Sequence, residues 1–102
     1  MSEQPLHVAV VGGGIAGLAA AHALSRRRPD LRLTLLEGSA GLGGKLRVST
    51  LAGVDLDEGA EALLNRRPEA VDLARAVGLD NDLVHPATVA PSVWTRSAIR
   101  PL

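Results

Sequence analysis

A short β-branched run that stops at glycine constrains this chain more than any other feature. His7-Val8-Ala9-Val10-Val11 leads straight into Gly12-Gly13-Gly14-Ile15-Ala16-Gly17, which opens an alanine-rich stretch reaching about Arg28. A strand, a turn with three spaced glycines and a helix, in that order, begin a βαβ unit able to receive a diphosphate. Gly12 permits the tight turn. Gly14 removes a side chain so that backbone can approach a pyrophosphate, and Gly17 lets helix and strand pack closely, with Ala16, Ala19, Ala20 and Ala21 keeping that contact thin. The helix start then offers unpaired N–H groups and about half a positive charge to an anion. Ile15, Leu18, Ala19 and His22 recur at helical spacing and are expected to face the sheet. The near-continuous apolarity of residues 7–11 suits a strand buried on both faces of a parallel sheet.

Pro29-Asp30 stops the helix. Leu31-Arg32-Leu33-Thr34-Leu35-Leu36-Glu37 alternates as a strand should and closes on an acid, completing one right-handed βαβ unit over about 7–37. Glu37 lies twenty residues past Gly17. A carboxylate there can accept hydrogen bonds from both ribose hydroxyls and repels a 2′-phosphate, which argues against NADP. NAD and FAD remain open to that point. A second glycine cluster follows, Gly38-Ser39-Ala40-Gly41-Leu42-Gly43-Gly44-Lys45, where a plain NAD domain would turn into another crossover helix. Backbone at Gly43-Gly44 can lie close to the diphosphate while Lys45 adds positive charge. That tilts the reading toward FAD.

The loop 38–58 is expected to include a hairpin, Leu46 to Leu51 and Val54 to Asp57 about a turn at Ala52-Gly53. A helix is expected over about 67–77, where Pro68 suits the first turn, Glu69 the positive helix end, and Gly78 the residue after the helix. Val71, Leu73 or Ala74, and Val77 would form its apolar stripe. Residues 84–102 read as short extended pieces around prolines.

Composition sets the outer limits. With 46% hydrophobic and 22% charged residues the chain has material for a modest core, almost wholly aliphatic because Trp94 is its sole aromatic. Eleven basic and eleven acidic residues cancel, so no field argues for nucleic acid. The absence of cysteine excludes disulfides, thiol catalysis and cysteine-held metals. His7, His22 and His85 are too scattered for a metal site. Met1-Ser2-Glu3-Gln4-Pro5 lacks the pattern of a signal peptide, and no stretch is long enough to span a membrane. A cytoplasmic location is expected, with peripheral membrane contact left open. Asp55, Asp57, Glu58 and Glu61 read as solvated acids at a strand end, and Arg66-Arg67 as surface charge.

Val8 through Ala21, the Leu35-Leu36-Glu37 strand end and Leu42-Gly43-Gly44-Lys45 together resemble the flavin amine oxidase superfamily. The block Asp57-Glu58-Gly59-Ala60-Glu61-Ala62-Leu63-Leu64-Asn65-Arg66-Arg67-Pro68-Glu69-Ala70, with Leu73-Ala74 and Gly78-Leu79, is similar to the bacterial porphyrinogen oxidases, in particular their actinobacterial branch. Leu83-Val84-His85-Pro86-Ala87 and Val93-Trp94-Thr95-Arg96 continue that likeness. The resemblance implies a Rossmann-like α/β fold and FAD-dependent oxidation of coproporphyrinogen III or protoporphyrinogen IX in haem synthesis, with oxygen as acceptor. It implies that Gly12, Gly13, Gly14, Ile15, Ala16 and Gly17 hold the diphosphate, Glu37 the adenosine ribose, and Lys45 the cofactor near its phosphates. Gly38, Gly43 and Gly44 count among the cofactor-binding residues, and Gly59, Ala60, Glu61 and Ala62 would run alongside the flavin. Gly41 stands where relatives often carry arginine, and Ser97 where they often carry a turn glycine. No catalytic side chain is identified. The chain stops at Ile99-Arg100-Pro101-Leu102 in mid-pattern and is expected to be the opening part of a truncated FAD domain without turnover of its own. The alternatives are another member of the superfamily, an amine oxidase or a carotenoid desaturase, or a non-catalytic nucleotide-binding piece.

Overall fold

The computed structural model describes residues 4–102, so the first three positions of the signal-peptide reading lie outside the described residues. The chain divides into two units, Met1–Arg67 and Pro68–Leu102. In the first, strand β1 (His7–Val11), helix α1 (Ile15–Arg27) and strand β2 (Arg32–Leu36) form the expected βαβ unit. The two strands pair in parallel from His7–Arg32 to Val11–Leu36. Helix α1 ends one residue before the expected Arg28. That residue precedes Pro29, whose ring disfavours helical backbone before it, and it adopts φ −137°, ψ 72°. Its guanidinium instead grips the Asp30 carboxylate through two bonds of 2.8 and 2.6 Å.

Three packing expectations are corrected. Strand β1 is not buried on both faces: Val8 and Val10 are half-buried while His7, Ala9 and Val11 are exposed, Val11 at 82%. A single helix covers one face only, so period-two alternation appears in burial although the residues are apolar throughout. On α1, Leu18, Ala19 and His22 are half-buried, but Ile15 is 55% exposed because the helix's first residue sits beside the glycine turn. Among the described residues no hydrophobic side chain is fully buried. The modest core expected from composition is therefore not formed among the described residues.

Strands β3 (Val48–Leu51) and β4 (Val54–Asp57) make the anticipated hairpin, trimmed at its first strand. Ala52 and Gly53 both have positive φ, 51° and 81°, the pattern of a type I′ turn. In the second unit, helix α2 (Pro68–Ala76) ends as Gly78 invited. With Gly78 at φ 85°, the Leu79 N–H bonds the Ala74 carbonyl at 2.8 Å and the Gly78 N–H that of Arg75 at 3.0 Å. This double closure satisfies carbonyls left over by the last turn. Of the expected stripe, Val71, Leu73 and Ala74 are half-buried and Val77 is exposed.

The tail is more regular than expected. Strands β5 (Ser92–Thr95) and β6 (Ala98–Pro101) form an antiparallel hairpin around Arg96 and Ser97 at φ 50° and 60°. Left-handed backbone costs a non-glycine residue roughly 1–2 kcal/mol, of which glycine returns part as unfolded-state entropy. Ser97→Gly is therefore expected to stabilise the hairpin by about 0.5–1 kcal/mol. A urea midpoint that fails to rise would count against the turn geometry.

Candidate functional site

The three glycines of the β1–α1 turn meet three different demands. Gly12, at φ 101°, adopts backbone that only glycine takes readily, and its N–H reaches the Leu36 carbonyl at 2.7 Å. Gly14 caps α1 in extended conformation, and a methyl group built on it would meet nothing within 4 Å. Gly17 is closed in: a methyl group there would collide with the Gly12 carbonyl and touch Val10 Cγ1 at 3.6 Å. So Gly12 serves the turn, Gly17 the packing, and Gly14 leaves open space in front of the helix.

That space faces bare donors. The N–H groups of Ile15, Ala16 and Gly17 precede the first intrahelical bond, made by Leu18 N–H to the Gly14 carbonyl at 3.0 Å. No side chain caps the helix and no acid occupies its first turn. Unpaired donors, an uncompensated helix dipole and a surface without Cβ atoms suit a diphosphate.

The second glycine loop sits against the first. Gly43 N–H bonds the Gly13 carbonyl at 2.8 Å, and Gly14 and Gly43 form a parallel bridge. Gly43 and Gly44 have φ of 115° and 59°, and a methyl group on Gly44 would lie 3.1 Å from Gly14 Cα. Lys45 follows. Its carbonyl accepts the Ala60 N–H at 3.0 Å, and Gly59 packs so tightly on it that a methyl group would overlap the same oxygen. Among the described residues, the Lys45 side chain makes no ion pair.

Glu37 follows the last residue of β2, between the two loops. Its Oε1 accepts the Ser39 N–H at 2.7 Å and its Oε2 the Gly13 N–H at 2.7 Å. These bonds, Ser39 first and Gly13 next, hold its carboxyl below the usual carboxylate range. A lowered folded pKa means a contribution fully present above the ordinary glutamate value of the unfolded chain. It is lost as pH falls through the lower folded value. Thermal midpoints measured from pH 7 to pH 3 are expected to fall more steeply for the native chain than for Glu37→Gln. Parallel profiles would refute the assignment.

The structure thus brings together Gly12, Gly13, Gly14, Ile15, Ala16, Gly17, Glu37, Gly38, Gly43, Gly44, Lys45, Gly59 and Ala60. Glu61 and Ala62 are exposed, lie outside the regular elements, and make none of the hydrogen bonds found among the described residues. Sequence reasoning missed Ser39 and took Leu42 only as part of the Leu42-Gly43-Gly44-Lys45 motif. The first is signalled by an acid two residues before a serine at a strand end, the setting of a local side-chain turn. Leu42 carries no such mark. Elsewhere Asp55 accepts the Thr50 hydroxyl and Glu58 pairs with Arg47, so these acids serve the hairpin. Among the described residues no three His, Asp or Glu side chains converge on a metal position. Nor is any helix long and apolar enough to cross a membrane.

A family model described as an NAD(P)-binding Rossmann-like domain matches residues 10–77. A coproporphyrinogen III oxidase of Bacillus subtilis (strain 168) is 34% identical over 106 residues, covering 100% of this chain and 23% of that protein. One from Mycobacterium tuberculosis (strain H37Rv) is 36% identical over 99 residues, covering 96% and 22%. The crystal structure of a candidate protoporphyrinogen oxidase from Exiguobacterium sp. 255-15 superimposes with a TM-score of 0.81 at 36% identity, over 99% of this chain and 22% of that one. The chain spans about a fifth of the length of these relatives.

Proposed function

The chain belongs to the NAD(P)-binding Rossmann-like domain family, and from that premise we propose that it supplies the ADP-binding part of an FAD site in a porphyrinogen oxidase. The observation that carries the reading is the open, Cβ-free space at Gly14 in front of the unpaired N–H groups of α1. Neither positive φ nor any atom at the place of its missing Cβ demands glycine at Gly14. The preference for FAD over NAD rests on the second loop, whose Gly43 and Gly44 lie against Gly13 and Gly14 and are followed directly by Lys45. Glu37 disfavours a 2′-phosphate.

The likeness to oxidases of coproporphyrinogen III and protoporphyrinogen over most of this chain supports a porphyrinogen as substrate. The chemistry FAD supplies when bound is hydride acceptance from the macrocycle in successive two-electron oxidations, with oxygen as final acceptor. The chain's own residues bind and orient: Ile15, Ala16 and Gly17 through N–H groups toward the diphosphate, Glu37 toward the ribose, Lys45 through charge.

Gly14→Ala tests the reading, because it separates binding from folding. Stability without ligand is expected to fall by no more than about 1 kcal/mol, the cost of alanine in place of glycine at a helix cap. FAD at 100 times its Kd adds about 2.7 kcal/mol of stability to the native chain, and most of that gain is expected to vanish in the variant. NAD should stabilise less than FAD, and NADP least. A larger shift with NAD would move the assignment to a nicotinamide site, and an unaltered FAD shift in Gly14→Ala would sink the loop's role.

A further inference from the structure

The residue that the fingerprint leaves unspecified is the most buried in the site. Gly13 is the one buried residue among those described. Its N–H is spent on Glu37 Oε2 and its carbonyl on the Gly43 N–H. A methyl group on it would come within 2.5 Å of Leu42 Cδ2 and 2.9 Å of Glu37 Oε2. With no polar backbone group left for a ligand, Gly13 is where the strand-end acid and the second loop are fastened to the first.

We propose that Glu37 is a positioning residue as well as a ribose partner: its carboxylate, held between the Gly13 and Ser39 N–H groups, sets the shape of the dinucleotide loop before any ligand arrives. The need is for a carboxylate and not merely for an acceptor. Each oxygen receives one backbone N–H, and each keeps a second lone pair for a ribose hydroxyl. A glutamine in the same place has one accepting oxygen and one donating NH2, so either Gly13 or Ser39 faces a donor whichever way the amide is turned. A lost bond to a charged acceptor is among the costlier single hydrogen-bond losses. Residue 37 thus acts on the diphosphate through Gly13, although its own side chain addresses the ribose.

This rests on the dinucleotide reading of the loop, and two measurements on the 102-residue chain keep the two separable. Amide hydrogen exchange reads the clamp without ligand. In Glu37→Gln, exchange at Gly13 or Ser39 is expected to accelerate roughly tenfold or more, while amides of the β1–β2 ladder keep their protection. Unchanged exchange at both would overturn the proposal. Should the variant fail to fold, a scalar coupling across the hydrogen bond from Gly13 nitrogen to the Glu37 carboxyl carbon in the native chain decides instead, its absence overturning the clamp. Titration with ADP and with 2′,3′-dideoxy-ADP then reads the consequence. A residue that only binds ribose leaves dideoxy-ADP affinity untouched when changed to glutamine, which would refute positioning; a clamp lowers that affinity roughly tenfold. Failure of the native chain to bind either nucleotide would overturn the dinucleotide reading and leave the exchange result to judge the clamp.

Discussion

Gly17→Ala is expected to lower stability and dinucleotide affinity together, although alanine is the better helix former. Propensity alone predicts a gain of about 1 kcal/mol for this substitution in a helix interior. Against it stands the Gly12 carbonyl, which occupies the place of the new methyl group. Overpacking costs typically ~1–3 kcal/mol and occasionally more. The upper part of that range applies, because the obstacle is backbone and not the end of a flexible side chain. Gly12 cannot swing aside easily: it is held at φ 101° and its N–H is bonded to Leu36. The helix must therefore move outward, taking the N–H groups of Ile15, Ala16 and Gly17 with it. The net expectation is a loss of about 1–2 kcal/mol, a fall of roughly 5–10 °C in the thermal midpoint. FAD or ADP affinity should drop at least tenfold. Ala20→Gly, on an exposed position of the same helix, gives the propensity effect alone. A midpoint that rises in Gly17→Ala would show that the turn yields and that packing does not explain this glycine.

What the sequence disclosed about this site follows how local each constraint is. Strand, turn and helix were legible at 7–27 because the β-branched run, the glycine spacing and the alanine-rich stretch all act within a few residues. The acid at 37 was legible as a strand end. Its bonds to Gly13 and Ser39 were not, since the first spans 24 residues and depends on where β2 lies beside β1. The tail hairpin was not legible from the residue pattern, because Arg96-Ser97 lacks the Asn-Gly or Asp-Gly pair of such turns; only the resemblance marked Ser97 as a turn position, and the turn is accepted at a cost in backbone energy. Burial of β1 on both faces was overestimated for the opposite reason. Its apolar pattern describes a strand with cover on two sides, and α1 covers one.

The approach of Gly59 to Lys45 was also invisible residue by residue, yet it follows from register. β3 and β4 pair Val48 with Asp57, so carrying the ladder outward pairs Arg47 with Glu58 and Lys45 with Ala60. The N–H groups of Glu58 and Ala60 do bond those carbonyls, at 2.8 and 3.0 Å. Gly59 lies between them without room for a side chain. Its φ is not in the left-handed region, so Gly59→Ala brings no backbone strain and its effect is purely one of space. The methyl group must push residues 58–60 from residues 45–47, breaking the Ala60 to Lys45 bond and freeing the segment that follows Gly43 and Gly44. A loss of about 1–3 kcal/mol is expected, visible as a lower thermal midpoint. If Lys45 serves the cofactor phosphates, FAD affinity falls as well, and it falls through Lys45. That route predicts non-additivity: in a Lys45→Ala background, Gly59→Ala should cost little further affinity while keeping its full effect on the midpoint. Additive losses in affinity would show that Gly59 meets the cofactor by another route, as expected of a residue running alongside the flavin.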